Sequence, residues 1–268
     1  MPVSAKRSLG IFCWYGFRAP LGACFQCIKA AGFDAVSLWW AERTFREMDK
    51  AEVAPLARAN GLRIDNAHVS GRDCNRLWSD DPTLRTQALD EYVEWLEDCG
   101  RFGIPAMVMH ITEGDQVAQP NAHGLDSFAR LVNRAEAVDV KLAIENVRQP
   151  SFVAHLLDAF ASPNLGFCYD SSHDRLYSDE PTSLLHQYGD RLVATHFSDT
   201  DGLEDVHWLP GTGVVDWPAV ARAFPAAYSG PVALEVGTTG QVSAPTAEEF
   251  LAQAYDKAQW LQQLFTHH

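Results

Sequence analysis

Residues 165–170 read LGFCYD, a short apolar run that ends in a carboxylate. Three other runs have the same form: LAIE at 142–145, LVATH at 192–196 and PVALE at 231–235. Packing does not explain a strand-length run that ends in Asp, Glu or His, because burying each ionisable group costs several kcal/mol unless something pairs with it. Four such runs in succession predict that Glu145, Asp170, His196 and Glu235 converge on one point. A divalent cation would pair with all four, so the pattern indicates a metal site.

These runs belong to an alternation that continues from end to end of the chain. Strands are predicted near 8–14, 35–40, 62–69, 106–112, 141–147, 165–171, 192–198 and 231–237. Between them lie seven or eight segments with helical spacing, of which 82–102 and 246–265 are the clearest. Strict strand-then-helix order predicts parallel strands with helical crossovers. The expected fold is an α/β protein with a single (β/α)8 TIM barrel domain over residues 1–268, with a doubly wound sheet as the alternative.

The bulk composition limits the function classes. Asp and Glu outnumber Lys and Arg by 35 to 21, for a formal net charge of −14, which argues against non-specific attraction to nucleic acid phosphates. No apolar stretch of about 18 residues predicts a membrane span, and the start lacks the apolar region of a signal peptide. The six scattered cysteines form no disulfide framework, and Cys24 and Cys27 are expected to pack in the first helix. A cytoplasmic enzyme is expected.

More ionisable residues follow the predicted strand ends. They include His68, His110, the Asp-x-x-His turn that ends at His173, and the Asp-x-His formed by Asp205 and His207. All are ligand types for zinc, manganese or a similar ion. In a TIM barrel the active site lies at the carboxyl ends of the strands, where these residues fall. A histidine here could instead be a hydrogen-bonded barrel residue, and the Asp-x-His an exposed loop or a substrate contact.

Five short motifs together resemble a known family. They are Ile144-Glu145-Asn146, Asp170-Ser171-Ser172-His173, His196-Phe197-Ser198-Asp199, the stretch DVHWLPGTG at 205–213, and Leu234-Glu235. In their order and spacing the chain resembles the xylose isomerase-like TIM barrels. That superfamily contains sugar isomerases and epimerases as well as endonuclease IV, of AP endonuclease family 2.

The resemblance implies two alternative metal sites. In isomerases and epimerases, Glu145, Asp170, His196 and Glu235 would hold one divalent ion, with Mn²⁺ the first candidate and Zn²⁺, Co²⁺ or Mg²⁺ the alternatives. In endonuclease IV a larger set holds three zinc ions. That set would fall on residues that all have the required type here, namely His68, His110, Glu145, Asp170, His173, His196, Asp205, His207 and Glu235.

The function expected from these residues is metal-dependent isomerisation or epimerisation of a sugar or sugar phosphate. Glu145 and Glu235 would act as catalytic acid and base in a proton transfer beside a carbonyl, through an enediolate. Substrate would contact His173, His68, His110, His207 and Trp14. Trp14, Trp39, Trp40, Phe197 and Trp208 are candidates for the pocket wall. The expected partner is a small carbohydrate; neither nucleic acid nor membrane is expected, and a homo-oligomer is left open.

Other functions remain as alternatives. A dehydratase of a polyol or inosose would use the same ion and base. A trinuclear zinc phosphodiesterase would use all nine residues, although no basic insertion suited to DNA is evident. A non-catalytic carbohydrate-binding barrel is the third. The sequence has no arginine between His196 and Arg222, where ketohexose 3-epimerases place one, which argues against that activity. The turn at 210–213, ahead of a predicted helix, could present N–H groups to a phosphate.

Overall fold

The computed structural model describes residues 7–41, 48–238 and 246–266. Eight parallel strands run in the order β7-β6-β5-β4-β3-β2-β1-β8, so that each strand except the last lies beside its neighbours in sequence. The strands are β1 (Leu9–Phe12), β2 (Ala35–Trp40), β3 (Arg63–Val69), β4 (Ala106–His110), β5 (Lys141–Glu145), β6 (Leu165–Asp170), β7 (Leu192–His196) and β8 (Val232–Leu234).

The ring closes between β7 and β8, just beyond the end of β7. Phe197 pairs with Leu234 in a parallel bridge. The N–H of Phe197 donates to the carbonyl of Ala233 at 2.9 Å, and the N–H of Glu235 donates to the carbonyl of Phe197 at 3.2 Å. The hydroxyl of Thr195 accepts the N–H of Ala233 at 3.1 Å. These contacts confirm the predicted (β/α)8 barrel over the doubly wound alternative.

Helices follow every strand. They are α1 (Leu21–Ala31), α2 (Lys50–Ala59), α3 (Pro82–Phe102), α4 (Ala122–Ala137), α5 (Ser151–Ala159), α6 (Ser171–Tyr177), α7 (Ser183–Tyr188), α8 (Trp217–Ala223) and α9 (Ala247–Leu264). Short 3-10 turns at Cys74–Trp78 and Gly189–Arg191 add to them. The nine α-helices of the described residues exceed the predicted seven or eight, because two short helices follow β6.

Side-chain and glycine caps mark the ends of the longest helices. The Asp81 carboxylate accepts the N–H groups of Thr83 and Leu84 at the start of α3, and the Thr246 hydroxyl accepts that of Glu249 at the start of α9. Gly103 ends α3 with φ 65, a left-handed conformation that glycine adopts without strain. These caps set where each helix returns the chain to the barrel.

Apolar side chains fill two layers. Val108, Ala143, Cys168 and Ala194 form a small buried cluster of strand residues, and a much larger cluster includes residues of strands and helices. All six cysteines lie in the described residues and all are free thiols, as predicted. Cys24 is buried in α1 and Cys27 is partly exposed. Across the described ranges, no helix is long and apolar enough to cross a membrane.

Candidate metal centre

The ionisable residues at the strand ends form two adjoining clusters. In each, one potential ligand atom per residue lies within 4.8 Å of those of the others. The first cluster contains His68, Glu145, His196 and Glu235; the second contains Asp170, His173 and His207. Three of the four residues predicted to converge are therefore in the first cluster, together with His68, and Asp170 lies in the second.

Glu145, the last residue of β5, is fully buried at the centre. Its Oε2 lies 3.0 Å from His68 Nε2 and 3.3 Å from His110 Nε2. Its Oε1 lies 3.2 Å from His196 Nδ1 and 3.4 Å from His173 Nδ1. One carboxylate thus contacts imidazoles that lie at or next to the carboxyl ends of four different strands, because parallel strands bring those ends to the same face of the barrel.

Glu235, which directly follows β8, contacts the imidazole of His196 at the end of β7. Its Oε2 lies 2.7 Å from His196 Nδ1, the nitrogen that Glu145 also contacts. The Glu235 side chain keeps 16% of its surface exposed, whereas that of Glu145 keeps none. Of the two glutamates, Glu235 is therefore the more accessible from solvent.

The second cluster is tied together by Asp205, from the loop after β7. The Asp205 carboxylate lies 2.9 Å from His173 Nε2 and 3.1 Å from His207 Nε2. His207 Nδ1 lies 3.9 Å from Asp170 Oδ2. Because His173 also contacts Glu145, the two clusters form one continuous network. All nine residues of the larger predicted set are in it.

Most of these groups favour each other's charged forms. Burial raises the pKa of Glu145 and of Glu235, but the charge of His196 and the hydrogen bonds and charges of the neighbouring histidines together outweigh it. The pKa of Glu145 therefore falls well below its usual range and that of Glu235 falls to about 2. Burial lowers the pKa of His207, yet its hydrogen bond to Asp205 and the charges of Glu235, Asp170 and Asp205 together raise it to about 9. The pKa values of His173, His196 and His207, which burial lowers, are raised in turn by the carboxylates around them.

Asp170 is the exception. Burial dominates and raises its pKa to about 6, against the opposing charges of His173 and His207. Its Oδ1 accepts the N–H of His173 at 2.8 Å, but its Oδ2 is buried without a hydrogen-bond partner. His196 Nε2 is likewise buried without a partner. Buried polar atoms are rarely left unsatisfied, so a cation that carboxylate and imidazole ligands can bind fits this centre.

The predicted aromatic wall divides between two environments. Trp39 packs on His68 with ring centroids 5.4 Å apart, and Phe12 lies 5.9 Å from the same ring. Trp40 and Phe197 are fully buried and instead pack on residues of the surrounding helices, including Phe102 and Trp217. The reason for the split of Trp39 and Trp40 is that successive strand residues point to opposite faces. Trp14, just beyond β1, is 45% exposed.

The loop after β7 contains a buried carboxylate to which the sequence analysis assigned no role. Asp199 accepts the backbone N–H groups of Gly211 and Val215, at 2.8 and 3.0 Å, and the indole N–H of Trp217 at 2.9 Å. This organises the loop that carries Asp205 and His207. The role of Asp199 was missed because the sequence does not show that this residue is buried.

The same contacts occupy backbone N–H groups in the turn at 210–213, which the sequence offered as a possible phosphate-binding turn. Two N–H groups in and just after this turn, those of Gly211 and Val215, already bind the Asp199 carboxylate. The N–H of Thr212 binds the carbonyl of Leu209. These three groups therefore face internal acceptors and are not free to bind a phosphate.

Comparison with known proteins places this barrel in a family. The family model described as xylose isomerase-like TIM barrel matches residues 25–264, nearly the whole chain. The chain belongs to the xylose isomerase-like TIM barrel family. This confirms the resemblance that the five sequence motifs carried.

Individual relatives are more distant. An uncharacterised protein y4fM of Sinorhizobium fredii is 29% identical over 183 residues, a match that spans only 59% of each chain. Fructoselysine 3-epimerase of Escherichia coli O157:H7 is 22% identical over 222 residues, covering 76% of this chain and 80% of the relative. A crystal structure of D-psicose 3-epimerase from Clostridium cellulolyticum superposes with a TM-score of 0.79 at 16% identity, covering 96% and 99%. At that identity the superposition shows the shared fold.

Proposed function

We propose that this protein is a divalent-metal-dependent epimerase or isomerase that acts on a sugar or sugar derivative. One observation carries the proposal: Glu145 and Glu235, from β5 and β8, contact the same nitrogen of His196 and belong to one cluster of potential ligands. Two carboxylates that approach one point from different strands can act as acid and base on two sides of a substrate. The fructoselysine and D-psicose 3-epimerases named above have activities of this class.

In this proposal the first cluster binds the ion through His196, Glu145 and Glu235, with Asp170 as a further ligand from the second cluster. The ion would supply Lewis-acid stabilisation of the charge that develops on a substrate carbonyl. Glu235, the more exposed glutamate, removes the proton from the neighbouring carbon, and Glu145 is the partner on the other side. His173, fixed by Asp205, orients a substrate hydroxyl. Trp39 and Phe12 limit access of water to His68.

The substrate favoured by the chain's own groups is an unphosphorylated carbohydrate. The N–H groups of Gly211 and Val215, in and just after the turn at 210–213, bind Asp199, and that of Thr212 binds Leu209, so these three donors are not available to a phosphate. Arg148, near the end of β5, pairs with Asp115 at 2.8 Å. The sequence has no arginine between His196 and Arg222, which supports a substrate other than a simple ketohexose.

A second candidate is a multinuclear zinc phosphodiesterase. It is favoured by the contact network that joins all nine residues of the larger set, with Asp205 bound to both His173 and His207. Counting bound metal separates the two functions, since one ion per chain supports the epimerase and three zinc ions support the hydrolase.

The test is a screen of the Mn²⁺-loaded protein in deuterated water. Ketoses, aldoses, inososes and keto-glycosides are incubated with it, and NMR records whether a carbon-bound hydrogen exchanges with solvent. Exchange with formation of an epimer or isomer supports the proposal, and exchange with loss of water identifies a dehydratase. The proposal fails if no carbohydrate exchanges while the zinc-loaded protein cleaves bis(p-nitrophenyl) phosphate.

A further inference from the structure

At the carboxyl end of β6, the backbone pairing stops before Asp170 on the β5 side and at Asp170 on the β7 side. The last paired residues are Glu145 with Cys168 towards β5, and Asp170 with His196 towards β7. Asp170 therefore has no backbone partner on β5, and Ser198 lies beyond the last backbone pair between β6 and β7. Side chains occupy both positions.

Asn146 provides the contact towards β5. Its Oδ1 accepts the backbone N–H of Asp170 at 2.7 Å, and its Nδ2 donates to the backbone carbonyl of Asp170 at 2.8 Å. The amide side chain thus satisfies both backbone groups of one residue, as a neighbouring strand would. Asn146 and Asp170 are both fully buried.

Ser171 provides the equivalent contact towards β7. Its hydroxyl donates to the backbone carbonyl of Ser198 at 2.6 Å and accepts the backbone N–H of Ser198 at 3.0 Å. The hydroxyl of Ser172 lies 2.8 Å from that of Ser198. The dipeptide Asp170-Ser171 is therefore fastened to the chain on both sides by side-chain hydrogen bonds.

This fastening coincides with an unsatisfied carboxylate. Asp170 Oδ1 accepts the N–H of His173, but Oδ2 is buried without a partner, so the contacts of the side chain leave one oxygen unengaged. We propose that Asn146 and Ser171 are positioning residues that hold Asp170 towards the cation by replacing the backbone pairing absent at this point. The inference rests on the proposed role of Asp170 as a metal ligand. Neither residue touches substrate in this scheme.

The experiment compares each residue with a matched buried partner elsewhere. Asn164, at the other end of β6, also donates its side-chain amide to a backbone carbonyl, that of Val140 at 3.0 Å. Ser127, buried in α4, donates to the carbonyl of Leu77 at 2.8 Å. Asn146→Leu is therefore compared with Asn164→Leu, and Ser171→Ala with Ser127→Ala. Asn146→Asp, which keeps the acceptor but loses the donor, serves if Asn146→Leu does not fold.

Two readouts are expected to change. The Mn²⁺ affinity, measured by calorimetry, should fall about 10–100-fold in the Asn146 and Ser171 variants, the usual effect of losing support behind a ligand. Hydrogen exchange of the Asp170 amide in Asn146→Leu, and of the Ser198 amide in Ser171→Ala, should accelerate at least about 10-fold without added metal. The matched variants should change neither.

The outcomes separate the positioning role from the proposed function. If the wild-type protein binds Mn²⁺ and Asn146→Leu weakens binding no more than Asn164→Leu, the positioning role is overturned and the proposed function stands. If the wild-type protein binds no divalent ion, the ligand role of Asp170 and the proposed function both fall. Faster exchange of the Asp170 or Ser198 amide with unchanged Mn²⁺ affinity also overturns the inference. In that case the side chains stabilise only the local backbone and do not position a metal ligand.

Discussion

At the carboxyl end of β6, the fully buried Asp170 keeps one oxygen without a hydrogen-bond partner. At the amino end of the barrel, by contrast, Arg191 directs its guanidinium to backbone carbonyls, which are those of Leu157, Phe160, Ser162 and Leu165. Both groups are ionisable, but Arg191 has carbonyl partners from the chain, whereas one oxygen of Asp170 has none. The unpartnered oxygen of Asp170 indicates that a ligand binds at the carboxyl end of the barrel. The hydrogen bonds of Arg191 give no such indication at the amino end.

The contrast agrees with the division of labour in TIM barrels, in which the carboxyl face carries chemistry and the amino face carries stability. It also makes the two ends separable by mutation. Changes at the carboxyl end should alter turnover and metal binding, and changes at the amino end should alter the free energy of unfolding.

The largest effect is expected at Glu145. Glu145→Gln keeps the shape of the side chain but removes the charge that four histidines surround, so carbon-bound hydrogen exchange should fall by about 10²–10⁴-fold. Circular dichroism should show a retained fold. The control is Glu97→Gln, which removes a partly exposed carboxylate that pairs with Arg134 far from the clusters. Exchange within a few-fold of wild type in Glu145→Gln would contradict the assigned role.

The converse change is Arg191→Met. It removes hydrogen bonds to several backbone carbonyls and leaves them unsatisfied, so the free energy of unfolding in urea should fall by about 2–4 kcal/mol. Turnover at 25 °C should stay within about two-fold of wild type, since Arg191 lies at the opposite end from the clusters. A loss of turnover in the folded variant would show that the two ends are not independent.

Metal binding should stabilise the carboxyl end specifically. At a Mn²⁺ concentration of 100 times its dissociation constant, the free energy of unfolding should rise by about 2.7 kcal/mol, and a chelator should reverse the gain. Calorimetric melting of the wild type and of His196→Ala measures it. An equal gain in both proteins would place the ion elsewhere.

A smaller effect, dependent on pH, is expected at Asp65 near the amino end of β3. Burial raises the pKa of this carboxyl to about 6, against the hydrogen bond from Asn66 and the charge of Arg63. Because an unfolded Asp titrates near 4, the folded chain loses stability as pH rises from about 4 through about 6. Asp65→Asn should therefore be about 2 kcal/mol more stable than wild type at pH 8, and no more stable at pH 4. Urea titrations at both pH values test this, and a gain that persists at pH 4 would rule out ionisation as its cause.

The sequence was sufficient to predict the barrel, because eight strand-length apolar runs alternate with segments of helical spacing. It also predicted which ionisable residues meet, since parallel strands bring their last residues together. It did not predict that Asp170 separates from Glu145 and His196 into a second cluster. That partition depends on side-chain directions, which the strand pattern of a sequence does not give. The roles of Asn146 and Asp199 were missed because a polar side chain that bonds to backbone has no periodic signal.

The closure between β7 and β8 gives the ring a weakest point. β8 has three residues, and Phe197 with Leu234 is the bridge that joins it to the β7 side. His196 immediately precedes this bridge on one side, and Glu235 immediately follows it on the other. An ion held by both would span the joint and tie the first strand of the chain, through β8, to the seventh. Metal binding would then also hold β7 and β8 together and so stabilise the closed barrel.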